Sequence, residues 1–278
     1  MGGVDPPFGT YAPTRRQECV RRAARRLPYT YVGRKLASAL LGPAGGRMRR
    51  PFDVRVFGSI NARLHPYDNI CEKRVYLTPD HWDRAERDEL ARAIETHAGD
   101  QFVFVDLGAN VGLYSLFAFS AAQRSNKSLK AVCVEADPEM RDRLQTNVSL
   151  NGLNDAAEVF RVAVGARDGV TNFAVNLDSR GQSRIAAEGE EQVPVRPLLA
   201  LIEEAKLSRI DALKIDIEGQ EASVLEAFFR DAPHSLRPGI IIAETSHDST
   251  LKRLAASEGY RARYGNALNA VFEDARRA

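Results

Sequence analysis

The sequence predicts an α/β fold: a doubly wound, mostly parallel sheet with one antiparallel edge, preceded by a basic helical extension. Three observations point there. Short apolar runs alternate with helical patterns from Phe102 to about Glu258, which is how a parallel sheet covered on both faces is written. Two last strand patterns, YRARYG and ALNAVFE, follow one another through a short Gly-Asn turn and so form an antiparallel edge. Acids recur at the ends of the predicted strands, the place where such sheets bind ligands.

Composition sets the outer limits. The 278 residues are 44% hydrophobic and 27% charged, enough apolar material for one large domain plus an appendage. Cys19, Cys71 and Cys133 stand far apart without a C-x-x-C pair. That argues against a disulfide framework or a zinc site and for a reducing, cytoplasmic compartment. No apolar run approaches the roughly 18 residues of a membrane span. The opening MGGVDPPFGTY lacks a signal-peptide pattern, and Pro6 spoils the myristoylation pattern after Gly2. The net charge of +2 hides an asymmetry: residues 11–50 carry eleven Arg or Lys against one acid, Glu18. That segment is +10 and the remainder −8.

The elements follow in order. Residues 1–50 form the extension, in which Val20, Ala24 and Leu27 give a short basic amphipathic helix ended by Pro28, and VGRKLASALLG a second apolar stretch. This extension is either a solvated appendage packed on the core or a surface for anionic partners, at the inner membrane surface or on a phosphate-bearing substrate carrier. No aromatic-interleaved basic platform points to nucleic acid. Residues 41–51 are loop-like. Residues 51–98 lead into the core through short strands and a helix capped by Thr78 with Pro79 first, running to about His97. Residues 99–278 are the ligand-binding domain. Its strands are FVFVDL (102–107), AVCVEA (131–136), EVFRVAVG (158–165), ALKIDIEG and GIIIAET (239–245). Asp137-Pro138 opens the helix after the second strand.

The loop DLGANVG follows the first strand. Gly108 and Gly112 let the backbone turn and approach a ligand closely. The spacing is not the dinucleotide pattern G-x-G-x-x-G. Asp106 beside a diphosphate would be repulsive, by about 4 kcal/mol per charge pair at an effective dielectric near 20. S-adenosyl-L-methionine carries an ammonium and a sulfonium instead, which an acidic edge favours. Glu135, at the end of the second strand, suits the two ribose hydroxyls.

DLGANVG, VEADPEMRDRLQTNVSLNGL, FRVAVG, LKIDIEGQEASVLEAF and IIIAET, in this order, resemble the FkbM family of S-adenosylmethionine-dependent methyltransferases over about residues 100–245. The resemblance implies a class I methyltransferase (Rossmann-like) fold, a seven-stranded sheet with an antiparallel last strand. It also implies methylation of a hydroxyl on a sugar, glycan or glycosylated metabolite, or on a polyketide-type product. Carried over, Asp106, Gly108, Asn110 and Gly112 hold the amino acid part of the cofactor, with Ala109 among them. Glu135 holds the ribose, with Ala136 beside it, and the run Arg161–Val164, including Ala163, borders the adenine.

Methyl transfer to an alcohol needs aligned reactants and help with the hydroxyl proton. Asp216, at the tip of LKIDIEG, is the candidate base or acceptor-orienting group, with Glu218 next to it and His247 as an alternative base. Asp216, Glu218 and Glu244 form an alternative magnesium set. Glu244 and Ser183, the latter on the insertion between the third and fourth strands, are candidate acceptor contacts. Glu221 falls at a helix start, where an acid favours the dipole. An amine acceptor, a non-catalytic cofactor-binding module and a nicotinamide dehydrogenase are the rival functions.

Overall fold

The computed structural model describes residues 6–174, 184–185, 191–217, 219–245 and 250–277. Helices α1 (Arg15–Arg25) and α2 (Tyr31–Leu40) precede the hairpin β1 (Phe52–Val56) and β2 (Ile60–Leu64). Helices α3 (Ile70–Leu77) and α4 (Arg84–Thr96) follow. The alternation then begins with β3 (Gln101–Leu107), α5 (Leu113–Arg124), β4 (Ser128–Val134), α6 (Pro138–Ser149) and β5 (Ala157–Phe160). A side group, β6 (Ala163–Gly165), β7 (Gly169–Ala174), β8 (Arg184–Ile185) and β9 (Glu191–Pro197), leads to α7 (Leu198–Glu204). The chain closes with β10 (Ala212–Ile215), α8 (Glu221–Asp231), β11 (Ile240–Glu244), α9 (Thr250–Ser257), β12 (Tyr260–Gly265) and β13 (Asn269–Asp274).

Seven strands form the main sheet in the order β12-β13-β11-β10-β3-β4-β5. Only β13 runs against its neighbours in it. From β3 the chain moves outward to β4 and β5, then returns past β3 to lay down β10 and β11. The order therefore reverses between β3 and β10, and the crevice of such a sheet opens at the carboxyl ends of those two strands.

Strand alternation sorts the apolar side chains onto two faces. Phe102, Phe104, Ala131, Cys133 and Ile242 share a core with α4, α5 and α6, through Leu90, Leu116 and Leu144 among others. Val105, Leu107, Val134, Leu213 and Ile241 face α7, α8 and α9, through Leu201, Phe228 and Leu251. Asp137 caps α6 as its sequence predicts, its side chain accepting from the N–H groups of Glu139 and Met140.

Elsewhere the structure departs from the patterning. Thr78 does not start a helix. It ends α3, whose N-terminus is held by the Asn69 side chain accepting from the N–H groups of Cys71 and Glu72. The next helix begins only at Arg84, so Trp82 lies before it and packs against Phe57 and Tyr114. The expected third strand 158–165 divides: β5 stays in the main sheet, whereas β6 pairs with β9 in a separate four-stranded sheet. Helix α7 has no counterpart in the patterning.

The extension is built into the body. Ala24, Leu41 and Ala44 belong to the same core as β3 and β4. Arg21 is buried (2% exposed) beside Ala24. It donates to the Tyr76 carbonyl at 3.0 Å, pairs with Glu18 and lies over the Tyr76 ring. Part of the basic leader is thus internal. The hairpin is tied to α6 by side-chain amides: Asn147 Oδ1 accepts from Arg63 N at 2.8 Å and Asn151 Oδ1 from Asn61 N at 2.9 Å. Arg143 on α6 clamps the lead-in, with two hydrogen bonds to Asp68 and one to the fully buried Glu72.

Candidate active site

Beyond β3 the chain turns sharply. Gly108 and Gly112 have φ of +69° and +83°, and Asn110 between them also has positive φ. The N–H groups of Gly108 and Ala109 both donate to the Val134 carbonyl, so the loop is laid across the end of β4. Gly108 is needed for space as well as for its backbone conformation. A Cβ there would stand 1.9 Å from the Asp216 carbonyl oxygen. The first glycine of the loop therefore touches the tip of β10, and β3 and β10 meet at the reversal point.

Lys214 joins these tips. It lies directly across from Asp106 in the parallel register of β10 and β3. Its buried ammonium donates to the Gly108 carbonyl at 2.7 Å and stands 3.7 Å from Asp106 and 3.4 Å from Asp216. Burial works against its charge, but Asp216 and Asp106 outweigh that and hold its pKa above the ordinary lysine value. Asp106 is itself fully buried rather than on an open rim. One carboxylate oxygen accepts from the Ser115 hydroxyl at 2.7 Å, and the other has no hydrogen-bond partner. Burial raises the Asp106 pKa even with Lys214 beside it. A spacing of two along a strand puts Lys214 and Asp216 on one face, so this pair was recoverable from LKIDIEG.

Glu135 ends β4. Its carboxylate accepts from the Asn110 N–H at 2.7 Å and from the Asp137 N–H at 2.8 Å, linking the glycine loop to the α6 cap. Burial outweighs those donors and pushes its pKa up to about 7. Ala136 and Ala163, far apart in sequence, meet in a small apolar cluster with Val193. The structure thus brings Asp106, Gly108, Ala109, Asn110, Gly112 and Glu135 around one loop, with Ala136 and Ala163 packed together beyond Glu135.

On the β10 side, Asp216 is exposed. Glu221 is buried and accepts from the Ile217 and Gly219 N–H groups, shaping the turn into α8. Ligand atoms of Asp216, Glu221 and Glu244 lie within 4.8 Å of one another. Two members of the expected magnesium set, Asp216 and Glu244, are thus close together with Glu221 among the described residues. Yet the Glu221 Oε1 is occupied by the turn and Asp216 is paired with Lys214, which leaves the set poorly prepared for a cation. Glu218, His247 and Ser183 lie outside the described residues.

Asp83 also joins the site unannounced. It has a left-handed backbone (φ 40°), rare for a residue other than glycine. Its carboxylate accepts from the Tyr114 hydroxyl at 3.2 Å, and Tyr114 carries the Lys214 ammonium 5.7 Å from its ring centre. Burial raises the Asp83 pKa, and the charges of Glu86 and Asp216 add to that.

The donor set fits S-adenosylmethionine. A buried carboxylate oxygen without a hydrogen-bond partner and an acid at the end of β4 suit a cationic amino acid and a ribose. The space at Gly108 that a Cβ would fill lets the backbone itself line the site.

A sheet reversed at this point, with one antiparallel strand and this loop, defines a class I methyltransferase domain. Residues 106–262, more than half of the chain, match the model of the methyltransferase FkbM domain. The chain belongs to that family. Among curated proteins it is similar to the AMB antimetabolite synthetase AmbE of Pseudomonas aeruginosa, 28% identical over 44% of this chain and 7% of that one. The chain thus spans a small fraction of that relative's length. Among solved structures it is similar to the methyltransferase FkbM from Methylobacillus flagellatus (16% identity, 92% of this chain and 59% of that one, TM-score 0.44). It is also similar to M. capricolum TrmK in complex with S-adenosyl-homocysteine (12% identity, 67% of each chain, TM-score 0.41).

Gly108→Ala should lower the unfolding free energy by about 3 kcal/mol, from a left-handed backbone (~1–2 kcal/mol) and overpacking (~1–3 kcal/mol). Gly152 has φ of +65° with nothing within 4 Å of its ideal Cβ. Gly152→Ala therefore supplies the backbone cost alone. Urea unfolding of both variants separates the two effects, and equal losses would contradict the close approach of β3 and β10.

Proposed function

We propose that this domain is an O-methyltransferase acting on a hydroxyl of a sugar, glycan or glycosylated metabolite. The observation that carries this reading is an exposed carboxylate, Asp216, fixed by the buried Lys214 at the tip of β10 against the glycine loop. When bound, S-adenosylmethionine supplies an electrophilic methyl group on a sulfonium and leaves as S-adenosyl-L-homocysteine. Gly108, Ala109, Asn110 and Gly112 line its amino acid part, with the Asp106 carboxylate behind them. Glu135, ionised above about pH 7, accepts from the ribose hydroxyls. Ala136 and Ala163 form an apolar wall suited to adenine.

On the acceptor side, Asp216 takes the proton that the hydroxyl releases as its oxygen takes the methyl. Lys214, 3.4 Å away, holds the Asp216 carboxylate in place. Glu244, at the end of β11 within the same acidic group, contacts the acceptor. Asp216→Asn should leave S-adenosylhomocysteine affinity within about twofold and lower kcat by about 10²–10⁴, the usual worth of a positioned base. Mass spectrometry of a glycan acceptor panel with labelled donor reads both acceptor and rate. An unchanged kcat would end the role of Asp216. Transfer to amines alone would end the O-methylation reading.

A second reading concerns location, a cytoplasmic protein held at an anionic membrane surface by residues 15–50. No helix among the described residues is long and apolar enough to cross a membrane. One face of α2 nevertheless exposes Tyr31, Val32 and Leu36 beside Lys35, an apolar and basic surface of the kind that lies in a lipid interface. Deleting the extension would open the core at Ala24 and Leu41, so point changes test this better. Converting Tyr31, Val32 and Leu36 together to Ser should weaken co-sedimentation with phosphatidylserine vesicles more than about tenfold, since each buried large side chain contributes about 1.5–3 kcal/mol. Undiminished co-sedimentation would end it.

A further inference from the structure

A cavity of about 590 Å³ opens on the Asp83 side of the site, within the roughly 300–1,000 Å³ of small-molecule pockets. Its walls come from four places: Tyr29 with α2, one side of α3, the segment 78–88 and the β12–β13 turn with its flanking residues. Its wall adjoins the methyl-transfer site through side-chain contacts. Asn69, which caps α3, donates to Asn110 Oδ1 of the glycine loop at 2.8 Å. Tyr114 holds Lys214 near its ring and donates its hydroxyl to Asp83. Asp83 itself lines the cavity.

The charges around this cavity are unevenly occupied. Among its acids, Asp88 pairs with Arg84 at 3.6 Å, Glu86 accepts from the Asn266 and Asn269 side-chain amides, and Asp83 accepts from Tyr114. Its cations Arg34, Lys73 and Arg74 make no salt bridge among the described residues. Arg34 lies over the Tyr29 ring, and that ring packs against His81 at 5.2 Å, so the mouth is part aromatic. The inner wall also carries the indole of Trp82, buried and without a hydrogen-bond partner. Three cations without a salt bridge among the described residues thus line the cavity together with Asp83, which Tyr114 holds on the side of the reaction centre and on which Arg74 also acts. This charge order does not suit a neutral acceptor. It suits one with an anionic group at one end and a hydroxyl at the other.

We propose that this cavity is the acceptor site and takes a phosphate-bearing hydroxyl compound, with Arg34 on the extension and Lys73 and Arg74 on α3 gripping the phosphate. The proposal rests on the O-methyltransferase reading for what happens at the hydroxyl, but not for the binding of the anion. It gives the extension a role in the site: α2 is a wall of the acceptor pocket, with Arg34 turned to the cavity while Tyr31 and Val32 face outward. Sugar monophosphates and nucleoside diphosphate sugars share the required chemistry.

The test is calorimetry on the full chain with S-adenosylhomocysteine present. The probes are glucose 6-phosphate, uridine diphosphate glucose and the uncharged methyl glucoside. At least one phosphorylated probe should bind at 1:1, the glucoside should bind at least tenfold more weakly, and the Arg34→Glu and Arg74→Glu double variant should lose at least tenfold for the phosphorylated probe only. S-adenosylhomocysteine affinity should stay within twofold in that variant, which shows that the fold and donor site are intact. Preference between the two phosphorylated probes distinguishes the monophosphate from the diphosphate source. Absence of binding by both, or equal binding to wild type and double variant, overturns the proposal. Phosphate binding that obeys this pattern without any methyl transfer leaves the pocket standing and removes the O-methylation reading. Methyl transfer to a neutral acceptor, unaffected by the double variant, does the reverse.

Discussion

A buried ammonium holds the site together. Lys214 sits in register with Asp106 across two central strands, reaches the Gly108 carbonyl, and steadies Asp216 at the strand tip. At such separations each charge pair is worth about 4 kcal/mol at an effective dielectric near 20, against several kcal/mol of desolvation per ion. The net stabilisation is therefore small. The geometric consequence is larger. One side chain links the glycine loop, proposed here to receive the methyl donor, to the carboxylate proposed to meet the acceptor.

This arrangement alters the picture of an acidic rim. The acids are there, but they differ in state. Asp106 is sealed beneath α5, Glu135 is half-committed to two backbone N–H groups with a pKa near 7, Glu221 shapes a turn, and Asp216 alone among these four is exposed. The division of labour among them follows from burial and hydrogen bonding.

Much of this was legible in the chain. The apolar runs of β3, β4, β10 and β11 are short and bounded, the glycines of DLGANVG require left-handed backbone, and Asp137-Pro138 announces α6. What escaped has physical reasons. Lys214 looks like a lapse in an apolar strand until its partner strand is known, because cross-strand register is not a local property. Asp83 joins the site through tertiary packing of Tyr114, and its strained backbone leaves no trace in residue type. Thr78-Pro79 reads as a helix start by local chemistry, yet Asn69 caps an earlier helix that ends there. The split of 158–165 follows strand pairing beyond any local pattern: β6 finds β9, about thirty residues away. The extension reads as a detachable basic leader because its arginines are counted as solvated, whereas Arg21 is internal.

The central claim is most directly tested by Lys214→Met, which keeps the side-chain volume and removes the charge. Urea unfolding should show a loss of about 3–5 kcal/mol, the cost of leaving buried partners uncompensated. Calorimetry on the still-folded variant should show S-adenosylhomocysteine affinity falling at least tenfold, about 1.4 kcal/mol, because the Gly108 loop loses its anchor. Affinity within twofold of wild type, with stability unchanged, would contradict the claim that this one ammonium organises the site.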